Sequence, residues 1–478
     1  MFTYGIAALL SMPSQDQPTA LELLEKSMNV LGGRGRLESI RSIKAKFTSH
    51  SMLAEQSERP TGPYLHVYLS GSQTVDLDRT EVSCEATTAG LVYGAREVPR
   101  KFSVSPDSAK GAAPLEAWLA RRRLSLGPER ALFVAAAAQD LRLEKPRNFN
   151  GVAHDVISFG WGGSKVSLLL KQGTASPSAI QTQSLMPFPW SIWGDVVATT
   201  RWGAWSAQQG GIMTPSQFTT DVNGITIEDT TILSAEITLG PGTATLHPPI
   251  VLPPENPVPM LARYKPTVVA EGIVQYQGPF NTFVVSQPDG LVVIEPVFNS
   301  FFASAFLKKL EQDFPGKRVK AVVATDDAWP HFGGLRSFVY KGAEVIILDL
   351  NRPIVQRLID APYKSQPDEL AVNPLKPKYR LVKRKLSLGS GPNRMEFYPI
   401  SGQGSERMMM AYFPERKLLY GSDLLQRVAN GFFFPSYPKE LAAAVEREKL
   451  TVETVFAEHL GPTPWNLVTD FVNKIGKS

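Results

Sequence analysis

The segment 325–334 carries side chains of the types that perform chemistry. Six residues of this segment contain two carboxylates and one imidazole, those of Asp326, Asp327 and His331. A Gly-Gly pair follows after one further residue, Phe332. Carboxylates and imidazoles act as general acids, general bases and metal ligands, and glycine lets the backbone approach a ligand closely. These residue types at this spacing predict a catalytic or metal-binding loop.

The elements around this loop place it at an edge where ligands collect. The apolar run 319–325 is typical of a buried strand and 334–341 of a helix, so the loop joins the carboxyl end of a strand to the start of a helix. Ligands of open α/β sheets bind at that end of the strands. Further strands at 290–294 and 343–348 and a helix at 301–310 predict a layered α/β domain.

Four features in the right order over 267–478 resemble the metallo-β-lactamase fold. The loop 325–334 resembles that family's metal loop, which reads Thr-His-x-His-x-Asp-His-x-Gly-Gly, and 290–296 resembles its early strand, which ends in an acid. The segment 418–423 is similar to its strand that ends in the metal-bridging aspartate, and 457–462 to its last histidine loop. The resemblance implies an α+β fold, an αββα sandwich.

The metal loop departs from the family pattern at most of its ligand positions. The first histidine of the pattern falls on Asp326, the second on Ala328 and the aspartate on Pro330, so only His331 keeps its ligand. The next family histidine falls near Gly404, and His331 and His459 are the only histidines after residue 247. A dinuclear zinc centre of the usual kind therefore cannot be built here.

The ligands that remain match the positions around the family's second metal. The resemblance implies that His331, Asp423 and His459 hold one divalent ion, zinc in the first place and iron or manganese otherwise, with Asp423 in the bridging role. Asp326, or else Asp327, would add an oxygen as the fourth ligand, and Asp326 or Asp327 would act as general base. The alternative is that no metal binds, the acids being helix-cap and loop residues and the histidines being satisfied by hydrogen bonds.

The first half of the chain predicts a different kind of domain. A capping box at Thr19 and Glu22 starts a helix, and alternating runs at 40–105 and 151–240 predict antiparallel strands. Residues 20–240 weakly resemble the lipoprotein-carrier-like sheets that precede some metallo-β-lactamase-like domains of exported bacterial proteins. We therefore predict an antiparallel β-rich domain at 19–240, a proline-rich extended linker at 241–266 and the metallo-β-lactamase-like domain at 267–478.

Composition excludes several classes of protein. The net charge is +5 over 478 residues, which is too small to predict a nucleic-acid partner, and the single cysteine excludes an intramolecular disulfide. Residues 1–18 begin with an apolar stretch and end in small and polar residues, as in a signal peptide. This pattern predicts export to the periplasm or the extracellular space; the alternative is a cytoplasmic protein. No later run is long enough for stable membrane insertion.

Two functions fit these features. The first is a divergent metal-dependent hydrolase with at most one metal ion, acting on an ester, amide, lactone or phosphoester. The second is a non-catalytic binding protein that uses the fold as a scaffold for an apolar or lipid-like ligand. The β-rich domain offers four closely spaced tryptophans, either as a binding platform or as packing across the sheet: Trp190, Trp193, Trp202 and Trp205.

Overall fold

The computed structural model describes residues 18–54, 64–90, 96–241, 256–429 and 431–476. The predicted signal segment lies outside the described residues except for residue 18, and so do residues 242–255 of the predicted linker. The described chain forms one large antiparallel sheet up to residue 241 and two smaller facing sheets from residue 256 onward. Among the described helices, none is long and apolar enough to cross a membrane.

The chain begins with the predicted amphipathic helix, α1 (Ala20–Val30). The backbone N–H of Thr19 donates to the Glu22 carboxylate at 2.7 Å, and the Thr19 hydroxyl accepts from the backbone N–H of Glu22 at 3.3 Å. This reciprocal capping satisfies two backbone donors that a helix start would otherwise leave unpaired. Leu24 and Met28 are buried on the inner face of α1, and the short helix α2 (Arg34–Glu38) follows.

A single twelve-stranded antiparallel sheet forms the body of the first domain, in the strand order β5-β4-β3-β2-β1-β12-β11-β10-β9-β8-β7-β6. Its strands are β1 (Ile40–Leu53), β2 (Leu65–Asp76), β3 (Glu81–Gly90), β4 (Arg96–Val104), β5 (Ala109–Lys110), β6 (Arg142–Phe149), β7 (Val152–Trp161), β8 (Ser164–Lys171), β9 (Pro177–Leu185), β10 (Asp195–Ala207), β11 (Met213–Val222) and β12 (Ile225–Leu239). Consecutive strands pair except β5 and β6, which form the two edges of the sheet, and the pairing of β1 with β12 joins the two halves.

Helices cover one face of this sheet. The helices α3 (Pro114–Leu126) and α4 (Ala131–Ala136) pack with α1 against sheet residues such as Ile157 and Leu168, both fully buried. Of the four tryptophans considered as a binding platform, Trp190, Trp193 and Trp202 are buried. Their burial favours the packing alternative.

Two sheets and two helical layers make up the second domain. The first sheet has seven strands in chain order: β13 (Lys265–Ala270), β14 (Ile273–Gln277), β15 (Thr282–Gln287), β16 (Gly290–Ile294), β17 (Val319–Ala324), β18 (Glu344–Leu348) and β19 (Lys378–Val382). The second has six, in the order β20 (Leu386–Leu388), β21 (Met395–Pro399), β22 (Met409–Phe413), β23 (Leu418–Tyr420), β26 (Thr454–Ala457) and β27 (Leu460–Pro464). A separate hairpin joins β24 (Arg427–Val428) to β25 (Gly431–Phe432).

The sheets face each other across an apolar core in which Phe283 of β15 contacts the rings of Tyr420 and Phe456 from the opposite sheet. Helices cover both outer faces. Their bounds are α5 (Val258–Leu261), α6 (Ser300–Asp313), α7 (Trp329–Phe332), α8 (Leu335–Tyr340), α9 (Arg352–Ile359), α10 (Glu369–Val372), α11 (Ser436–Arg447) and α12 (Trp465–Ile475). The predicted fold class, an αββα sandwich preceded by an antiparallel β-rich domain, is confirmed.

The described part of the proline-rich segment differs from a fully extended spacer. Residues Val258–Leu261 form one helical turn, and β13 starts at Lys265 with Pro266 as its second residue. Proline is tolerated there because β13 is the edge of its sheet, where one side of the strand has no neighbour to bond. The helical turn carries Pro259 in its first turn, where a missing N–H costs no hydrogen bond.

The two domains are joined by specific polar contacts. The Tyr363 hydroxyl donates to the backbone carbonyl of Ser191 at 2.7 Å, and the Asn299 amide donates to the Ser191 hydroxyl at 3.1 Å. The Asp195 carboxylate accepts from the backbone N–H of Ser365 at 2.9 Å and from its hydroxyl. These buried or half-buried bonds fix the 190–195 segment of the β-rich domain against the second domain.

Candidate metal centre

Strand ends bring the predicted site residues together. β16 runs parallel to β17, and β23 runs parallel to β26 in the facing sheet. Asp326 follows the carboxyl end of β17, Asp423 follows that of β23, and His459 follows that of β26. The residues therefore collect at one edge of the sandwich although they are far apart in the sequence.

Three of the predicted metal ligands converge. One ligand atom from each of His331, Asp423 and His459 lies within 4.8 Å of the other two. Nε2 of His459 is 3.2 Å from Oδ1 of Asp423, and the two imidazole rings meet edge to face with centroids 5.8 Å apart. Two ligand atoms on one tetrahedral ion, with bonds of about 2.0–2.1 Å, lie roughly 3.3 Å apart. The distance from Nε2 of His459 to Oδ1 of Asp423 therefore suits two ligands of the same ion.

Asp326 lies behind His331. Its carboxylate is 2.8 Å from Nδ1 of His331 and accepts the backbone N–H of Ala328 at 3.0 Å. Nε2 is the other ring nitrogen of His331, and because the pKa of His331 lies well above its ordinary value, a metal ion would have to displace the proton there. A carboxylate that accepts from one ring nitrogen commonly orients a metal-binding histidine. In this structure Asp326 has that orienting position behind His331.

Asp327 is in a different environment from its neighbour. Its carboxylate is buried, and Nε of Arg407 lies 3.7 Å from Oδ2, which is too far for a hydrogen bond. Within the described residues Oδ2 of Asp327 has no hydrogen-bond partner. Burial, together with the nearby Asp326, raises the pKa of Asp327 to about 8 despite the opposing charge of Arg407.

Two buried glutamates beneath the site were absent from the predicted set. Glu295 follows β16 and Glu458 precedes His459, and both are fully buried. The Tyr420 hydroxyl lies between them, 3.1 Å from Glu295 and 3.3 Å from Glu458. Thr325 also donates to Glu295 through its backbone N–H and its hydroxyl. The sequence signal was present, since each acid directly follows a run of apolar strand residues.

Backbone strain marks the same edge. Glu295 has a φ of 59° and Ser422 a φ of 54°, both in the left-handed region that non-glycine residues seldom occupy. Each such residue costs on the order of 1–3 kcal/mol and persists where the surroundings impose it, most often at functional sites. The two residues flank the candidate centre, one after β16 and the other directly before Asp423.

The charges at the site act strongly on one another. Burial by itself would lower the pKa of His331, but the carboxylates of Asp326, Glu458 and Asp423 outweigh it and hold that pKa well above its ordinary value. Burial and the nearby His331 lower the pKa of His459 to about 4, so its ring is neutral near pH 7. Burial raises the pKa of Asp423 to about 7, with His331 opposing the shift. A cation at this position would stabilise the crowded carboxylates.

The donor set fits a divalent metal ion. Two imidazoles and one carboxylate are the protein ligands of many catalytic zinc sites, which keep a further position open. His459 and Asp423 are only half-buried, so the centre is accessible from solvent. Phe280 contacts both imidazoles, with its ring centroid 5.5 Å from that of His331 and 5.8 Å from that of His459.

No protein-family model matches the chain, and no curated protein is similar to it in sequence. Solved structures similar to it include a metallo-β-lactamase from Pontibacter korlensis (16% identity, TM-score 0.36), which matches 45% of this chain and 100% of its own. A metallo-β-lactamase from Hirschia baltica (14%, TM-score 0.34) matches 44% of this chain and 96% of its own.

A stereoselective inverting sec-alkylsulfatase from Pseudomonas sp. is also similar (18%, TM-score 0.33), and the match spans 45% of this chain but only 42% of the sulfatase. Identities this low bring no reaction or substrate to the present chain. The strand order, the two facing sheets and the helical outer layers place residues 265–476 in the metallo-β-lactamase fold.

Proposed function

We propose that the second domain is a metal-dependent hydrolase that uses a single divalent ion, zinc in the first place and iron or manganese otherwise. The observation that carries the proposal is the convergence of His331, Asp423 and His459 within 4.8 Å. The substrate class is a small molecule with an ester, amide, lactone or phosphoester bond. A divalent ion supplies Lewis acidity, which polarises the substrate and makes water nucleophilic near neutral pH.

The protein's own residues have separate roles in this proposal. His331, Asp423 and His459 hold the ion, and Asp326 orients the His331 ring through the 2.8 Å contact to Nδ1. Asp326 is thereby engaged, whereas Oδ2 of Asp327 has no partner among the described residues. Of the two acids considered as general base, Asp327 is therefore the one with an unengaged oxygen, and its pKa of about 8 means that it would be deprotonated and able to act as a base mainly above that pH.

The competing function, a non-catalytic binding protein, also has an observation in its favour. His459 lies 3.2 Å from Asp423, and His331 lies 2.8 Å from Asp326, so each imidazole has a carboxylate partner without a metal. Metal content separates the two functions. The hydrolase requires one ion per chain, and the binding protein requires none.

The decisive experiment is elemental analysis of the full chain, purified first without added metal and then after incubation with zinc, iron or manganese. We expect about one equivalent per chain, and loss of the ion in His459→Ala. His66→Ala, in β2 of the first domain, is the matched control and should keep the ion. A wild-type protein that takes up no metal under any of these conditions would overturn the hydrolase proposal.

Activity is tested separately on a panel of aryl esters, lactones, lactams and phosphodiesters. We expect hydrolysis that a chelator removes and that readdition of the metal restores. Export remains a proposal that rests on the sequence of residues 1–18. Amino-terminal sequencing of the protein from the periplasm or culture medium tests it, because a cleaved signal peptide would shift the first residue.

A further inference from the structure

A cleft of about 190 Å³ opens in the first domain, at residues distinct from the candidate metal centre. Trp118, Arg121 and Arg122 of α3 form one wall, and Trp161 at the end of β7 forms another. Ser365 and Gln366 of the second domain complete the lining, so the cleft includes residues of both domains. Its walls are mostly apolar, and two of the lining residues are arginines.

Arg122 is a buried cation without an acidic partner. Only 7% of the residue is exposed, and its terminal nitrogens donate to neutral groups, the Thr200 hydroxyl and the backbone carbonyls of Ile180 (3.0 Å) and Ala198 (3.3 Å). Within the described parts of the chain no carboxylate forms an ion pair with Arg122, and its Nε has no hydrogen-bond partner. The positive charge is therefore enclosed and uncompensated.

Such an arrangement is costly unless something else compensates the charge. A buried charge is normally paired with an opposite charge, because removal from water is expensive. Arg121, the preceding residue, donates through Nε to the carbonyl of Ser105 at 3.1 Å and also has no carboxylate partner among the described residues. Two guanidinium groups without acids in one cleft would be stabilised by an anion.

The aromatic walls define the rest of the ligand. The Trp118 ring lies near the Arg122 guanidinium, with its centroid 5.7 Å from Cζ. Trp161 is the last residue of β7, directly before the turn into β8, and also lines the cleft. Flat indole surfaces favour an apolar body, aromatic above all, because offset and edge-to-face ring contacts add to the burial of area. A cavity of about 150 Å³ is large enough for benzene, so this cleft accommodates one ring and a short side arm.

We propose that this cleft binds a small organic carboxylate with an aromatic or compact aliphatic body. The carboxylate pairs with the guanidinium groups of Arg121 and Arg122, and the body lies between Trp118 and Trp161. The terminal nitrogens of Arg122 already donate to the sheet, so Arg122 contributes its positive charge and its unpartnered Nε, whereas Arg121 uses only its Nε for Ser105. The inference does not depend on the metal centre, since none of the lining residues belongs to it.

The test is isothermal titration of the full-length protein, freed of metal by a chelator, with sodium phenylacetate as the probe. We expect saturable binding with one site per chain. Acetate, which lacks the ring, and 2-phenylethanol, which lacks the charge, should bind about tenfold more weakly or worse, because each loses one of the two interactions. Equal binding of phenylacetate and 2-phenylethanol, or no binding of phenylacetate, would overturn the proposal.

Variants assign the binding to the cleft. Arg122→Met should weaken phenylacetate binding by about tenfold or more, the range expected for loss of a charge-assisted hydrogen bond. Because Arg122 also bonds three groups of the sheet, Arg121→Gln provides a second variant that alters a less enclosed side chain, and it should weaken binding severalfold. Arg201→Gln breaks the ion pair between Arg201 on β10 and Asp221 on β11, so it is the control and should leave binding unchanged.

Two outcomes would contradict the assignment. Folded Arg121→Gln and Arg122→Met proteins that bind phenylacetate as tightly as the wild type would show that the anion lies elsewhere. Phenyl phosphate bound more tightly than phenylacetate would show that the ligand class is a phosphate ester and not a carboxylate. Circular dichroism of each variant establishes that it is folded before binding is compared.

Discussion

Trp193 of the first domain meets Trp329 of the second edge to face, with ring centroids 5.1 Å apart and ring planes at 87°. Trp190 contacts the same Trp329 ring from a second side, at 5.0 Å. Trp329 begins the short helix α7, which also carries His331, and all three indoles are buried. The first domain thus supports the loop that presents a candidate metal ligand.

This contact predicts that a change in the first domain weakens metal binding in the second. Trp193→Ala should lower the free energy of unfolding by about 3–5 kcal/mol, the usual cost of a large aromatic deletion in a core. It should also weaken zinc affinity, because Trp329 and the His331 loop lose their support. Denaturant unfolding and competition with a chromophoric chelator measure the two effects.

The control for this prediction is Trp205→Ala, which removes an indole that is only partly buried and packs in the separate core of the first domain. Zinc affinity should be unchanged in that variant. If Trp193→Ala binds zinc as the wild type does, the interdomain contact has no influence on the centre.

A second prediction concerns the charge behind His331. Asp326→Asn keeps the shape of the side chain and an oxygen for Nδ1 but removes the negative charge, so metal affinity should fall about 10–100-fold. His459→Ala should cause a larger loss, since it removes a ligand. Asp360→Asn, an exposed carboxylate at the end of α9, serves as control. An Asp326→Asn protein with wild-type affinity would show that Asp326 does not orient the imidazole.

The sequence predicted part of this centre and could not predict the rest. His331, Asp423 and His459 were predicted because the resemblance to the metallo-β-lactamase fold assigns these positions to the second metal. Whether Asp326 faces the ion or the imidazole depends on side-chain torsions inside one loop, which residue spacing does not determine. The resemblance predicts an acid at Glu295 as a feature of the fold, and only the structure brings that acid beneath the candidate centre, where it contacts Tyr420.

The fold was more predictable than the contacts between its parts. Alternating apolar runs indicated the antiparallel sheet, since strand periodicity is local information, whereas the two facing sheets were implied by the resemblance to the metallo-β-lactamase fold. The meeting of Trp193 with Trp329 is not local, because it depends on how two domains pack. Of the four closely spaced tryptophans, Trp190 and Trp193 are buried at that interface, and the cleft is lined by Trp118 and Trp161.

Metal removal should change stability by a calculable amount. Binding to the native state alone raises the free energy of unfolding by about 2.7 kcal/mol when the free ion is at 100 times its Kd. We expect a chelator to lower the denaturant midpoint of the wild type and to leave that of His459→Ala unchanged. Equal midpoints for the wild type with and without zinc would show that the ion does not bind the folded protein at these residues.

Glu396 provides a pH-dependent prediction away from the site. Burial alone would raise the pKa of Glu396, but hydrogen bonds from Tyr398, Lys385 and Arg394 lower it to about 2. Since the folded-state pKa lies below the ordinary value of 4.5, the stabilisation is present above pH 4.5 and is lost as the pH falls toward 2.

Glu396→Gln should therefore be less stable than the wild type by about 1–2 kcal/mol at pH 7, allowing for solvent screening of ion pairs near the surface. The difference should shrink between pH 4.5 and 2 as the wild-type carboxylate becomes protonated. Urea unfolding across this range measures it, with the exposed Glu446→Gln as control. A difference that does not change with pH would show that the charge of Glu396 contributes nothing.

The only cysteine gives a prediction about thiol reactivity. Cys84 lies in β3 and is 2% exposed. Burial, with a smaller contribution from Glu116, raises the pKa of the Cys84 thiol to about 11, so only about one molecule in a thousand carries the reactive thiolate at pH 8. We expect an aromatic disulfide reagent to label the native protein far more slowly than the unfolded chain in guanidinium chloride, where one thiol per chain should react at once. Rapid labelling of the native protein would mean that the β2–β3–β4 region opens readily, because a thiol in this position can react only when its strand separates from its neighbours.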